Sequence, residues 1–213
     1  MRNIDRPLVG PFTGKHILGL AGAMVAVVVI LSLLTAPISL PTSTPLPTPG
    51  ASFDIIGAPT VGLSIGDLAP EFTGTSDGQT VGLDDLQGNP IRLADYIGHP
   101  VWIDFFATWC PPCQEETPVL RDEYDAHKAD GLALIAISVQ ETSPDDVRAY
   151  AQTYGLDYTI GFDATSAIFK TYQAYGLPTQ LFVDRHGVIR GIIKGPLTQL
   201  QAEQILAPLI AAP

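Results

Sequence analysis

The sequence predicts an α/β domain with a mixed central sheet flanked by helices, preceded by one N-terminal transmembrane helix and a Pro-rich linker. The domain is predicted because apolar runs typical of strands alternate with amphipathic helical stripes, and the pattern ends in two adjacent strands and a helix. The N-terminal part is predicted from an uncharged apolar run followed by many prolines. We divide the 213 residues into a leader (1–16), an anchor (17–35), a linker (36–60) and a domain (61–213).

The predicted anchor contains an uncharged run, residues 17–34, with a single serine as its polar member. At about 1.5 Å per residue, this run approaches the ~30 Å hydrocarbon core of a bilayer. Arg2, Arg6 and Lys15 precede it, so we expect a single-pass helix with a cytoplasmic N-terminus and an extracytoplasmic domain. A cleaved signal peptide is the alternative, but its apolar run is usually about 7–15 residues, and Thr35-Ala36-Pro37 is a poor cleavage site.

The predicted linker, residues 36–60, differs abruptly in composition, because prolines are spread among serine, threonine and small residues. Proline lacks a backbone donor and favours extended polyproline backbone, so the segment predicts a semi-stiff spacer rather than a packed element. We expect the spacer to hold the domain away from the membrane surface.

The charge of the chain argues against nucleic acid as a partner. There are 11 Lys and Arg against 22 Asp and Glu, a formal net charge of −11, whereas binding to phosphates needs clustered basic residues. We expect the acidic surface to serve solubility, and repulsion of anionic lipid headgroups stays open as an alternative. With only two cysteines, the chain has no disulfide framework to stabilise its fold.

The elements of the domain are predicted from apolar periodicity and capping signals. Residues 101–106 predict a buried strand, and Cys113 is expected to open a helix that continues past Pro118 to about residue 128. The later predictions are a strand at 131–139, a helix starting at Ser143-Pro144, a helix at 166–175, strands at 179–183 and 188–194, and a last helix capped by Thr198 and Gln201. Residues 77–86 resemble 87–96, which predicts a local hairpin insertion before the core rather than a repeat fold, because a repeat fold needs at least about three copies.

The chemistry centres on two cysteines separated by two prolines, in Trp109-Cys110-Pro111-Pro112-Cys113. Such a pair can close a small disulfide ring, and a following helix stabilises the first thiolate through its dipole and free N–H groups. We expect Cys110 to be the exposed nucleophile and Cys113 to resolve the mixed disulfide. Half a zinc site is the alternative, but the four histidines show no spacing that pairs with the cysteines, so no metal or cofactor is predicted.

The two prolines also predict the direction of the redox reaction. Neither Pro111 nor Pro112 has an N–H, so the Cys110 thiolate can draw backbone donors only from Cys113 onward. No histidine lies between the cysteines to add positive charge. We therefore expect moderate stabilisation of the thiolate, and a reductant rather than a strong oxidant.

Two motifs together resemble those of thioredoxin-fold oxidoreductases: Asp-Phe-Phe-Ala-Thr-Trp-Cys-Pro-Pro-Cys at 104–113 and Gly-Leu-Pro-Thr at 176–179. The strand and helix predicted around 131–155 resemble the insert of the TlpA/ResA group of membrane-anchored thiol–disulfide oxidoreductases. The anchor, the spacer and Gly-Asp-Leu-Ala-Pro-Glu-Phe at 66–72 also fit that group. The resemblance covers nearly all of 62–213 and implies a thioredoxin-like fold.

The resemblance also implies which residues bind substrate. Pro178 should be a cis-proline that packs beside the disulfide and offers backbone to the substrate chain. Its neighbours Leu177 and Thr179 should contribute to the same surface, and Trp109 should cover the edge of the active site.

Two carboxylates near the cysteines are candidates for proton transfer. Asp104 lies on an apolar strand, where burial raises the pKa of a carboxyl, so that it can exchange a proton near neutral pH. By resemblance, Asp104 matches the buried acid of thioredoxins, at a position where the TlpA/ResA group more often has asparagine. Glu116 matches a carboxylate near the active site of ResA-like proteins. The alternatives are a tolerated buried acid at 104 and a solvated helix-face glutamate at 116.

These features predict a membrane-anchored, extracytoplasmic thiol–disulfide oxidoreductase that reduces disulfides in protein substrates. The best-known task of the group it resembles is reduction of apocytochrome c, and a membrane thiol donor is implied because an exported reductant must be recharged across the membrane. Two alternatives stay open. A copper-binding module of the same fold needs His186 near Cys110, and a thiol peroxidase needs a threonine where Ala107 stands.

Overall fold

The computed structural model describes residues 7–9, 12–13, 23–29, 32 and 59–212 of a chain that divides into two units, 1–53 and 54–213. In the first unit, β1 (Pro7–Val9) pairs antiparallel with β2 (Phe12–Thr13), and residues 23–29 are helical and labelled α1. Most of the predicted anchor, 17–35, and residues 36–58 of the predicted linker lie outside the described residues. Within the described ranges, no helix has the length and apolar character needed to cross a membrane.

The second unit is described from residue 59 to residue 212 and alternates strands with helices. Its strands are β3 (Thr73–Ser76), β4 (Gln79–Asp85), β5 (Pro90–Ile91), β6 (Val101–Phe106), β7 (Ala133–Val139), β8 (Thr159–Asp163), β9 (Thr179–Val183) and β10 (Ile189–Lys194). Its α-helices are α2 (Pro111–His127), α3 (Pro144–Tyr154), α4 (Ala167–Thr171) and α5 (Gln199–Ala211). Short 3₁₀ helices cover Leu93–Tyr96 and Lys128–Asp130.

The strands of this unit form one mixed sheet in the order β10-β9-β6-β7-β8-β4-β3, with β5 paired to the side of β4. The central strands β6, β7 and β8 run parallel, and β9 and β10 add antiparallel at one edge. The predicted α/β architecture with a mixed sheet and flanking helices is therefore confirmed.

The two faces of the sheet carry two apolar cores. On one face, Trp102 of β6 stacks on Phe182 of β9 with ring centroids 5.1 Å apart, in a cluster that includes Leu120 of α2 and Leu206 of α5. On the other face, Phe105 packs against residues of α4. Because side chains alternate along a strand, β6 contributes residues to both cores and is buried throughout. This central strand leads directly to the cysteines.

Three details differ from the sequence prediction. Helix α2 begins at Pro111 rather than at Cys113. A proline can begin a helix because the N–H groups of the first turn have no partner within the helix, so the N–H that proline lacks is not needed there. Helix α4 covers only Ala167–Thr171 of the predicted 166–175, because Gln173 adopts a left-handed backbone with φ 50° and ends the helical path. Strand β8 was not predicted, because Gly161 and Asp163 interrupt its apolar pattern.

The hairpin predicted around residues 77–96 is present and extends the sheet. Asp77 and Gly78 form the turn between β3 and β4 with φ of 51° and 77°, the positive values that a tight hairpin turn needs. Strand β4 then pairs with both β5 and β8. The segment is therefore an edge of the main sheet rather than a separate insertion.

The contact between β3 and α4 gives a test of this packing. A Cβ on Gly74 would lie 2.5 Å from the backbone carbonyl carbon and oxygen of Ala167, so we expect Gly74→Ala to lower the free energy of unfolding by about 1–3 kcal/mol in urea titrations. Gly82 of the same hairpin has no atom within 4 Å of such a Cβ, and Gly82→Ala should change the stability little. Equal losses in the two variants would contradict the close packing at Gly74.

Candidate active site

The cysteines lie where β6 ends and α2 begins, at one end of the sheet. Phe105 is opposite Thr179 in the antiparallel β6–β9 pair, so the end of β6 lies beside the start of β9 and the Pro178 that precedes it. Strand β7 ends on the same side, because Phe106 is in register with Ser138 in the parallel β6–β7 pair. Three loops therefore meet around the cysteines: those after β6 and β7, and the one before β9.

Cys110 and Cys113 form a disulfide with their Cα atoms 5.3 Å apart. Their exposed fractions are 4% and 3%, and both belong to the core cluster on the α2 face of the sheet. The expectation that Cys110 is exposed is therefore wrong for the disulfide form. The physical reason is a turn, in which the Cys110 N–H donates to the carbonyl of the buried Ala107 at 3.1 Å and folds the cysteine against the sheet.

The loop after β7 holds the two residues that precede Cys110. The Glu141 carboxylate accepts hydrogen bonds from the backbone N–H of Thr108 and, at 3.0 Å, from its hydroxyl. Trp109 donates from Nε1 to the Gln140 carbonyl at 3.1 Å and keeps 56% of its surface exposed. Trp109 is thus fixed at one end and open to solvent on its apolar face. Gln140 and Glu141 carry no motif, so the sequence did not predict their contribution.

The predicted proline loop closes the other side of the site. The Leu177–Pro178 peptide bond is cis, as the sequence resemblance implies. Pro178 and Thr179 are buried, and their polar groups are used within the protein: the Pro178 carbonyl accepts from Gly195 N at 2.8 Å, and the Thr179 hydroxyl donates to the Gly176 carbonyl at 2.7 Å.

Leu177 differs from its two neighbours because it is only half-buried. Within residues 59–212, neither its N–H nor its carbonyl forms a hydrogen bond. Leu177 therefore supplies the backbone groups of this loop that can pair with an extended peptide, and the exposed face of Trp109 supplies an apolar contact.

Both predicted acids are buried on the α2 face of the sheet, Asp104 at 3% and Glu116 at 2% exposure. Burial raises the pKa of Asp104 to about 8. Burial and, second, the charge of Asp104 raise the pKa of Glu116 to about 9, although the side-chain amide of Gln180 and the nearby backbone of Leu197 act in the opposite direction. The solvated glutamate considered as an alternative at position 116 is therefore excluded. Both acids can hold a proton near neutral pH.

A third buried polar residue, Gln180 on β9, was not predicted. It lies opposite Asp104 in the β6–β9 pair, and its Nε2 donates a hydrogen bond to Glu116 Oε1. The one signal in the sequence was an amide within the otherwise apolar run of residues 180–183. Asp104, Glu116 and Gln180 form a buried polar cluster on the α2 face of the sheet.

The positions of His186 and Ala107 bear on the two alternative functions, a copper-binding module and a thiol peroxidase. His186 lies in the turn after β9, at the opposite end of that strand from Pro178, and four residues of strand span about 13 Å. The fold therefore directs His186 away from Cys110, contrary to what a copper module needs. Ala107, where a thiol peroxidase needs threonine, is a fully buried core residue.

Comparison with known proteins identifies similar molecules. Residues 65–192 match the model of the AhpC/TSA family. The chain is 32% identical over 144 residues to the thiol-disulfide oxidoreductase ResA of Geobacillus kaustophilus, covering 68% of this chain and 77% of that protein. It is 34% identical to ResA of Bacillus thuringiensis subsp. konkukian, covering 68% and 78%. A solved structure described as a putative thiol:disulfide interchange protein DsbE from Chlorobium tepidum matches with a TM-score of 0.57 at 26% identity, covering 70% and 99% of the two chains.

Proposed function

This chain belongs to the AhpC/TSA family and is a thiol–disulfide oxidoreductase of thioredoxin-like fold similar to ResA, and on that premise we propose that it reduces protein disulfides outside the cytoplasm. The observation that carries the proposal is the Cys110–Cys113 pair at the start of α2, with buried Asp104 and Glu116 on the same face of the sheet. The uncharged run at 17–34 behind a basic leader supports export and a membrane anchor.

The reaction starts from the dithiol form. The Cys110 thiolate attacks a substrate disulfide, forms a mixed disulfide and releases one substrate thiolate. The Cys113 thiolate then attacks the Cys110 sulfur, which closes the Cys110–Cys113 disulfide and releases the second substrate thiolate. Two electrons pass to the substrate, whose two sulfurs leave as thiols. A membrane thiol donor then restores the dithiol.

The buried acids serve the second attack. Cys113 is 3% exposed, so its thiol has little access to water and needs a neighbouring group to accept its proton. Glu116 follows Cys113 by one turn of α2, and Asp104 lies near enough for its charge to raise the pKa of Glu116. Burial raises the pKa of Asp104 to about 8, so this acid can take a proton and return it near neutral pH.

The substrate class that we propose is an apocytochrome c whose haem-binding cysteines have formed a disulfide. Such a substrate presents a C-x-x-C-H motif in an unfolded, extended chain. The N–H and carbonyl of Leu177, which form no hydrogen bond within residues 59–212, and the exposed face of Trp109 suit an extended chain beside the disulfide. Net charge of −11 over the whole chain favours neutral or basic peptides over acidic ones.

A trapping experiment tests the proposed function. Cys113→Ser lacks the resolving thiol, so we expect it to accumulate a mixed disulfide with an oxidised C-x-x-C-H peptide, detected by mass spectrometry of the intact conjugate. Cys110→Ser is the matched control and should capture none, because Cys110 is the attacking thiol. Capture by Cys110→Ser alone would contradict the assigned order of attack, and capture by neither variant would contradict the function.

The substrate class is tested in the same assay. An oxidised peptide of equal composition, with its two cysteines far apart and no histidine after the second, should be captured at least about tenfold more slowly if the site recognises the C-x-x-C-H motif. Equal capture rates would contradict the apocytochrome assignment and leave a general disulfide reductase.

A further inference from the structure

Three polar side chains are buried together between β6, β9 and α2. Asp104, Glu116 and Gln180 have exposed fractions of 3%, 2% and 0%. Gln180 is opposite Asp104 in the antiparallel β6–β9 pair, where the Cβ atoms of facing residues are about 4.5–5.5 Å apart. Gln180 also donates from Nε2 to Glu116 Oε1 across the interface with α2. Its amide therefore lies between the two acids.

Each of these side chains has a fully buried oxygen with no hydrogen-bond partner among the described residues: Asp104 Oδ1, Glu116 Oε2 and Gln180 Oε1. If both acids were ionised, all three oxygens would be acceptors without a donor, and a buried unsatisfied polar atom costs about 1–3 kcal/mol. A proton on either acid converts one of these oxygens into a donor. The orphaned oxygens therefore point to a protonated acid within the cluster.

The chemistry of the amide limits the number of protons. Its N–H end gains most from a carboxylate, because charge-assisted hydrogen bonds are about twice as strong as neutral ones. Its carbonyl end can only accept, so it needs a protonated carboxyl as its partner. Two ionised acids leave the carbonyl end facing a negative charge, and two neutral acids forfeit the charge-assisted bond.

We propose that Gln180 is a positioning residue that couples Asp104 and Glu116 into a unit holding a single proton. The inference deepens the proposed function and rests on it for the role of the unit. When Cys113 attacks the mixed disulfide, its proton passes to the ionised acid, so the unit holds two protons. When the substrate thiolate leaves, it takes one proton, and the unit returns to one. No electrons pass through the unit.

The groups that face the unit from other elements are neutral near pH 7. Tyr150 lies on α3 and Tyr158 precedes β8, and the charges of Asp104 and Glu116 act on both. Burial raises the pKa of Tyr150 to about 12 and raises that of Tyr158 well above its ordinary value. In the disulfide form, Cys110 and Cys113 at the start of α2 do not titrate. The acids are therefore the groups that titrate within this part of the core.

Carboxyl ¹³C NMR titration of the full-length disulfide form tests the coupling without any substrate. In Gln180→Leu, which removes both ends of the amide, we expect the first macroscopic pKa of the pair to rise and the second to fall. Their separation should shrink by about one pH unit, a tenfold change in the ratio of the two constants. Gln180→Met keeps an unbranched side chain and should give the same result if the leucine variant does not fold.

Ser138→Ala is the matched control. Ser138 is buried and, among the described residues, without a hydrogen-bond partner, and it is in register with Phe106 rather than with either acid. The control should keep the separation of the unaltered protein. An unchanged separation in a folded Gln180 variant, or equal shrinkage in Ser138→Ala, would overturn the proposal. Because no thiol reacts in this titration, such a result would leave the trapping experiment and the proposed reductase function unaffected.

Discussion

Replacing Asp104 by leucine is expected to stabilise the disulfide form at pH 8 by several kcal/mol, on the order of 2–4. The ordinary pKa of this carboxyl is 3.8, and burial raises it to about 8 in the folded protein. Between these values the unfolded chain releases a proton that the folded protein retains. The contribution of the protonated acid to stability is therefore fully present below about pH 4 and is lost as the pH rises toward 8.

The comparison of two pH values isolates this effect. Leucine also adds apolar burial, but that gain does not depend on pH, so the gain measured by urea unfolding at pH 8 should exceed the gain at pH 5. Glu115→Gln is the control, because Glu115 is an exposed acid beside Glu116 on α2 and should show no such trend. Equal gains at the two pH values, or a less stable variant at pH 8, would contradict the raised pKa of Asp104.

The expected gain in stability identifies Asp104 as a residue that weakens the fold. A buried carboxyl without full hydrogen bonding is the type of local conflict that folds tolerate at functional sites. The same leucine substitution removes a proton acceptor from the neighbourhood of Cys113, so the stabilised variant should exchange disulfides more slowly near neutral pH.

Local signals explain why most elements were predicted from the sequence. The runs at β6 and β9 are apolar apart from Asp104, Thr179 and Gln180, and the structure has both strands with the predicted ends, Val101–Phe106 and Thr179–Val183. The capping signals are also present, since Ser143 accepts from Asp145 N and Thr198 forms a capping box with Gln201. Strand β8 lacked such a signal, because its place depends on pairing with β7 and β4 rather than on its own pattern.

The site was predicted only where its residues carry a local motif. The two cysteines, the cis-proline and a carboxyl within an apolar strand are all visible in short stretches of sequence. Gln180 belongs to the site because it lies opposite Asp104 on the neighbouring strand and contacts Glu116 of α2. Glu141 belongs to it because the folded chain brings its loop beside Thr108. Contacts between distant segments leave no such mark on a single sequence.

The redox direction follows from the surroundings of Cys110. Pro111 and Pro112 provide no N–H, and the Cys110 N–H is bonded to the Ala107 carbonyl at 3.1 Å, so the first free donors for a thiolate begin at Cys113. A negative charge shared by Asp104 and Glu116 disfavours a thiolate close by. Both effects stabilise the disulfide relative to the dithiol, which is the property of a reductant.

The reduction potential of the full-length protein, measured by equilibration with glutathione, tests the reductase assignment most directly, and Cys113→Ser provides the control without a ring disulfide. We predict a potential below about −220 mV, on the thioredoxin side of the scale. A value near about −120 mV, typical of a strong disulfide-forming oxidase, corresponds to more than a thousandfold difference in the equilibrium constant at about 30 mV for each tenfold change. That value would contradict the account of the two prolines and make the protein an oxidase.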